Sequence, residues 1–144
     1  MFKKILLCTD GSDRSVHAAR VAANLSRLHG ASLIALHVAH VPAVEEPFPG
    51  APMLAKPLLE DYLCDLHRAV LTRTVNAVNE VGAYCETRTA VGDPVFEINK
   101  LAEAEDVDLI VIGTRGLSAS NAAQMGSISF GVAHSAVCPV LLVR

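Results

Sequence analysis

Tryptophan is absent from this chain of 144 residues, and the other aromatic side chains amount to four Phe and two Tyr. That is poor material for a platform that stacks nucleobases. Basic charge is also short. Lys and Arg total 12 against 15 acids, giving a net charge of −3 with no basic run. A protein that grips nucleic acid by its phosphates is thereby excluded. Long apolar runs are missing too. The best candidate, Ser32 to Val41, holds His37 and His40 and reaches half of the ~20 residues that a membrane-spanning helix requires. The start, Met1-Phe2-Lys3-Lys4 followed by Ile5-Leu6-Leu7, resembles the opening of a secretory leader, but Thr9, Asp10, Gly11, Ser12 and Asp13 interrupt it early. A cytoplasmic protein without membrane contact is expected. The four cysteines (Cys8, Cys64, Cys85, Cys138) form no CxxC pair. Cys8, Cys85 and Cys138 lie in apolar, strand-like segments and read as reduced, buried thiols. His37 and His40, three apart on an expected strand, face opposite sides and cannot share a metal ion. No metal site is expected.

What the chain does have is apolar bulk. Hydrophobic residues make up 51% and charged residues 19%, against about 45–50% and about 25% in average soluble domains. A single domain with a large core follows. Its pattern alternates strands with helices. Lys4 to Thr9 reads as a buried strand. Ser12 then caps a helix whose apolar face is Ala18, Val21, Ala22, Leu25 and Leu28, ended by Gly30. Ser32 to Ala39 is the second strand. Val41 to Pro57 holds five of the seven prolines and reads as a loop or flap. Helical spacing resumes at Leu59, Leu63, Leu66 and Val70 and runs to Gly82. Ala83 to Ala90 suits an exposed edge strand. Asp93-Pro94 opens a third helix. Val107 to Ile112 is the most hydrophobic strand, a last helix covers about Gly126 to Ala136, and Val140 to Val143 closes the sheet. Five strands alternating with four helices imply a doubly wound parallel sheet of order 3-2-1-4-5. Such sheets bind ligands beyond the carboxyl ends of their strands, where the order reverses. The loops to inspect are Thr9 to Ser12 and Gly113 to Ser127.

The second loop reads Gly113-Thr114-Arg115-Gly116, nine further residues, then Gly126-Ser127 at a helix start. Glycines admit close approach of an anion, and a helix N-terminus supplies unsatisfied N–H groups and partial positive charge. Ser127 and Ser129 add hydroxyls. The stretch is either a phosphate cradle or a flexible Gly/Ser connection. No GxxxxGK[ST] occurs, and Asp10-Gly11-Ser12-Asp13-Arg14-Ser15 is not GxGxxG. Asp10 either accepts hydrogen bonds from an adenine or ribose or assists the turn into the helix.

The spacing Gly113-x2-Gly116-x9-Gly126-Ser127 resembles the ATP-binding motif of the universal stress protein family. Likeness extends along nearly the whole chain: the opening Lys4 to Ser12, Ala35-Leu36-His37-Val38, Gly92-Asp93-Pro94, Asp108 to Gly116, and Gly126 to Ser129 followed by His134 and Cys138-Pro139-Val140. The stretch Leu117 to Met125 is smaller and more polar than the family's usual leucine-rich one. The resemblance implies an adenine-nucleotide alpha-hydrolase-like, Rossmann-like domain over 1–144 that binds ATP, ADP or AMP, with any magnesium ion held through the phosphates. It implies that Gly113, Gly116, Gly126 and Ser127, with Ile128 and Ser129 beside them, hold ribose and phosphates. It also implies that Asp10 and the backbone of Val38 meet the adenine and that Thr9 lines the pocket. Arg115 either touches a phosphate or faces solvent. A homodimer through the last strand, 138–143, is implied as well, which would cover an apolar edge.

Catalysis is not expected. Phosphoryl transfer needs a metal clamp, a positioned nucleophile and charge stabilisation, and neither pocket loop contains a lysine. His134 lies two turns down the last helix and reads as packing. The reading is a stress-response module that binds nucleotide. The alternatives are an interaction module of the same fold without nucleotide and, third, a slow ATPase or adenylating enzyme. With so few aromatics, any adenine would rest on aliphatic walls and backbone hydrogen bonds.

Overall fold

The computed structural model describes residues 1–41, 51–115 and 125–144, with backbone alone over 51–56. In chain order it comprises β1 (Lys4–Cys8), α1 (Asp13–His29), β2 (Ser32–Ala39), α2 (Ala51–Glu80), β3 (Glu86–Val91), α3 (Pro94–Ala104), β4 (Leu109–Gly113), α4 (Ser127–Ser135) and β5 (Val140–Val143). The five strands form one parallel sheet of order β3-β2-β1-β4-β5, as expected.

Strand alternation divides the core in two. Ile5 and Leu7 of β1 join Leu33, Ala35, Leu109 and Val111 beneath α1 and α2. Leu6 and Cys8 join Ile34, Leu36, Ile110 and Ile112 beneath α3 and α4. A central parallel strand is covered on both faces and therefore reads as a continuous apolar run. β3, at the edge, is mostly exposed and carries Glu86 and Arg88.

Two local expectations are corrected. The face that α1 buries is Ser15, Val16, Ala18, Ala19, Ala22, Ala23 and Ser26, whereas Leu28 is 79% exposed. Small side chains let the helix approach the sheet closely, so the contact stripe follows alanine and serine rather than leucine. The loop expected to run to Pro57 stops earlier. Residues 42–50 lie outside the described structure, but α2 begins at Ala51 and includes Pro57. Pro52 falls in the first turn, where a backbone N–H has no helical partner to lose. Pro57 gives up one rung, and it is exposed, so water can serve the freed carbonyl.

Helix starts follow their capping signals. Ser12 Oγ accepts from the Ser15 amide at 3.2 Å, and Asp93 accepts from the Phe96 amide at 2.9 Å with Pro94 next. Gly30 ends α1 in the left-handed region, φ 63°. Asp93→Ala is expected to lower the unfolding free energy by about 1 kcal/mol, as N-cap truncations do. Urea titration of the pair of proteins measures it.

Candidate functional site

The order of the sheet reverses between β1 and β4, which pair directly, Cys8 beside Ile112. Their onward connections pass to opposite faces, β1 to α1 and β4 to α4. Both expected loops therefore start side by side at the carboxyl edge.

The β1–α1 turn is built from short polar side chains. Asp10 accepts from the Ser12 amide at 3.0 Å, so its turn-forming role is real. Gly11 sits at φ +79°, and a Cβ there would meet Val70 Cγ2 at 3.2 Å. Thr9 is buried, with its hydroxyl 3.1 Å from Ser15 Oγ and 2.8 Å from Thr74 Oγ1. Its side chain is thus occupied between β1, α1 and α2. The β1–β2 ladder includes Ser32 N–H to the Lys3 carbonyl, 2.9 Å, and Thr9 N–H to the Leu36 carbonyl, 3.0 Å. In a parallel ladder the next rung would join Gly11 N–H to the carbonyl of Val38. Gly11 N–H instead turns back onto Thr9 Oγ1 at 3.3 Å. That rung is not made, which leaves the Val38 carbonyl beyond the end of the β1 ladder, at the edge where Asp10 begins the turn.

At β4 the chain passes Gly113, which is buried against the first turn of α1. A Cβ there would lie 3.4 Å from the Arg14 carbonyl carbon. Arg115 is half-buried. Gly116 and the residues to 124 lie outside the described structure. The chain is pinched where it returns: Gly126 N–H donates to the Thr114 carbonyl at 2.7 Å. Buried Ser129 donates its hydroxyl to the same carbonyl at 2.9 Å and to that of Gly126 at 3.0 Å. Ser129 therefore shapes the pinch. Ser127 and Ile128 are exposed.

The start of α4 differs from those of α1 and α3. Gly126 is its N-cap, no side chain caps it, and no acid stands in its first turn. The first four N–H groups of any helix lack intrahelical partners. Here the amide of Gly126 is used by Thr114, and Phe130 N–H makes the first helical bond to the Gly126 carbonyl at 3.0 Å. An anion could be received by the amides of Ser127, Ile128 and Ser129, with the helix dipole behind them.

Sequence reasoning missed the part played by α2. His67, Val70 and Thr74 share one face of it, at i, i+3 and i+7. His67 Nδ1 lies 2.7 Å from Nδ1 of His37, the rings edge to face at 4.7 Å between centroids. Val70 covers Gly11, and Thr74 meets Thr9. Arg73, next to that face, hydrogen-bonds the Gly11 carbonyl and pairs with Asp13. Polar residues at positions 67 and 74 interrupting an apolar helical face were the available signal. Burial, followed by the charge of His67, lowers the affinity of His37 for a proton to a pKa of about 4, with Asp10 opposing, and burial lowers that of His67 as well.

The thiols of Cys8, Cys85 and Cys138 are all pushed up, chiefly by burial, which makes them unreactive. Cys64, by contrast, is exposed on α2. His134 is exposed as well and stacks on Phe130, the rings 3° from parallel. Among the described residues no cluster of three His, Cys, Asp or Glu could hold a metal ion, and no helix is long and apolar enough to cross a membrane.

A universal stress protein of Thermus aquaticus is 41% identical over 146 residues, covering all of both chains. The structure of UspA from Lactobacillus plantarum superposes with a TM-score of 0.84 at 27% identity, covering 99% of this chain and 98% of that one. A universal stress protein solved in complex with cAMP superposes with a TM-score of 0.74 at 27% identity, covering 99% and 97%. The model of the universal stress protein family matches residues 1–144 from end to end, and this chain belongs to that family.

Proposed function

We propose that the protein is an adenine-nucleotide-binding module, with ATP or AMP held across the carboxyl ends of β1, β2 and β4. The observation that carries this reading is the start of α4, an uncapped, glycine-begun helix N-terminus set beside the β4 end where the sheet order reverses. Phosphates would lie against the amides of 127–129, with the Ser127 hydroxyl as a further donor and Gly113, Gly116 and Arg115 along the same loop. The base would lie toward Val38, whose carbonyl can accept from an exocyclic amino group, and toward Asp10. The aliphatic side chains around it, Val38 among them, suit a ring held without stacking. The related protein solved with cAMP supports an adenine ligand. When magnesium accompanies the nucleotide, the phosphates would hold it, since neither loop offers an acidic cluster.

We read the protein as a binder rather than a catalyst. Neither loop carries a lysine to stabilise phosphoryl transfer, and Asp10 belongs to the base end. The reading includes a homodimer through 138–143. β5 pairs with β4 on one side, and Leu141 is exposed on it. An apolar edge strand of this kind is a template for a second copy. Leu141→Arg is expected to shift the sedimentation coefficient from dimer to monomer with the fold retained; an unchanged dimer would remove that strand from the interface.

The test of nucleotide binding is direct. Denaturation of the purified protein should release adenine nucleotide resolvable by ion exchange, and calorimetric titration of nucleotide-free protein with ATP should show saturable heat. No carried nucleotide and no heat at millimolar ATP would favour the other reading, an interaction module of the same fold.

A further inference from the structure

We infer that Thr74 of α2 is a positioning residue for base recognition, because through Thr9 it helps to keep the Gly11 amide off the Val38 carbonyl. The inference rests on the nucleotide reading above and adds to it a residue that touches no ligand.

The hydroxyl protons around Thr9 set the direction of each bond. Thr74 is fully buried, and its hydroxyl donates to the Val70 carbonyl at 2.9 Å. Ser15 likewise donates its hydroxyl to the Ser12 carbonyl at 2.9 Å. Each of these groups has one proton and has committed it. Thr9, with a single proton of its own, therefore shares it between Thr74 Oγ1, 2.8 Å, and Ser15 Oγ, 3.1 Å, in a bifurcated bond. Its lone pairs are then left to accept, and the Gly11 amide supplies the hydrogen at 3.3 Å. The direction of the whole chain is set at its buried end.

Without that arrangement the Gly11 amide has an obvious alternative. The register of β1 on β2 puts the Val38 carbonyl where the next rung would form. A Gly11–Val38 bond would consume the acceptor that an adenine amino group needs. Val70 against Gly11 and Arg73 on the Gly11 carbonyl brace the same turn. One face of α2 thus sets which backbone acceptor the base meets.

The readout is base selectivity. ATP presents an amino group to the Val38 carbonyl, whereas ITP presents a carbonyl at the same ring position and is repelled. If the Gly11 amide takes the Val38 carbonyl, the base loses one hydrogen bond, which should weaken ATP binding by about three- to tenfold. In Thr74→Val the ATP-over-ITP affinity ratio is expected to fall by that factor, with tripolyphosphate binding unchanged. Thr74→Ser, which keeps the hydroxyl, should restore the ratio. Circular dichroism and thermal melts check the fold. If Thr74→Val does not fold, Thr9→Ser, which keeps the oxygen but loosens its rotation, is expected to lose part of the ratio. A selective wild type with an unchanged ratio in Thr74→Val, or in its substitute, overturns the inference alone. Equal loss of ATP, ITP and tripolyphosphate binding also overturns it, by reducing Thr74 to a structural role. A wild type that binds ATP and ITP equally overturns base reading at Val38 and leaves phosphate binding standing. A wild type that binds none of them overturns the nucleotide reading itself.

Discussion

Gly126→Val is expected to weaken ATP binding by about a hundredfold or more while the protein still folds. The estimate follows from losing two or more amide–phosphate hydrogen bonds, each of about 1.5–3 kcal/mol when one partner is charged. The fold itself makes little demand for glycine here. The backbone at Gly126 has φ −62° and ψ 150°, open to any residue. A Cβ there would lie 3.4 Å from the Thr114 carbonyl oxygen and 3.6 Å from Arg115 Cα, ordinary contact distances. Among the described residues no contact forbids a Cβ at this position, whereas a ligand pressed against the backbone would call for glycine. Gly126→Ala provides the graded control, with an intermediate loss. Calorimetric titration gives the affinities, and a thermal melt shows that the variants fold. Normal ATP binding by Gly126→Val would remove the helix start from the site even if binding itself were real.

Acid should destabilise the protein well above the range in which its carboxylates titrate. His37 takes up a proton near pH 6.5 in the unfolded chain but only at about 4 in the folded one. Between those values the unfolded state holds more protons, so stability falls as the pH falls. It is complete above about pH 7.5. At 1.36 kcal/mol per unit, lowering the pH from 7.5 to 5 should cost on the order of 2 kcal/mol through His37. His67, shifted the same way by burial, adds to the loss. Burial is the main reason that the pair stays neutral, and for His37 the nearby charge of His67, with Nδ1 atoms 2.7 Å apart, adds to it. Urea unfolding at several pH values measures the slope. His37→Gln should flatten most of it, and an undiminished slope in that variant would sink the assignment.

The sheet was legible because its central strands are buried on both faces, and residues such as Ile5 to Cys8 and Leu109 to Ile112 have no polar interruption. The starts of α1 and α3 were legible for a chemical reason, since Ser12 and Asp93 serve the amides three residues on. Leu28 misled because hydrophobicity ranks leucine above alanine, whereas close helix–sheet contact favours the smaller residue. Prolines concealed the start of α2, since their effect depends on whether water can reach the freed carbonyl. At the site, the glycine spacing from 113 to 126 could be read along the chain. The partners of Thr9 and His37 could not. Thr74 and His67 lie 65 and 30 residues away, and only the docking of α2 brings them in.

The helices are anchored very unequally. α1 buries seven residues, whereas Ile98 and Ala102 are the buried residues of α3, and Ser129 and Val132 those of α4. Layers with few buried contacts open first in native-state hydrogen exchange, ahead of global unfolding. The α3–α4 layer, which would receive the phosphates, is therefore expected to open ahead of α1. A ligand bound only to the closed form closes that layer by mass action. Occupancy of the site would then register less as a change of shape than as slowed amide exchange over α3 and α4.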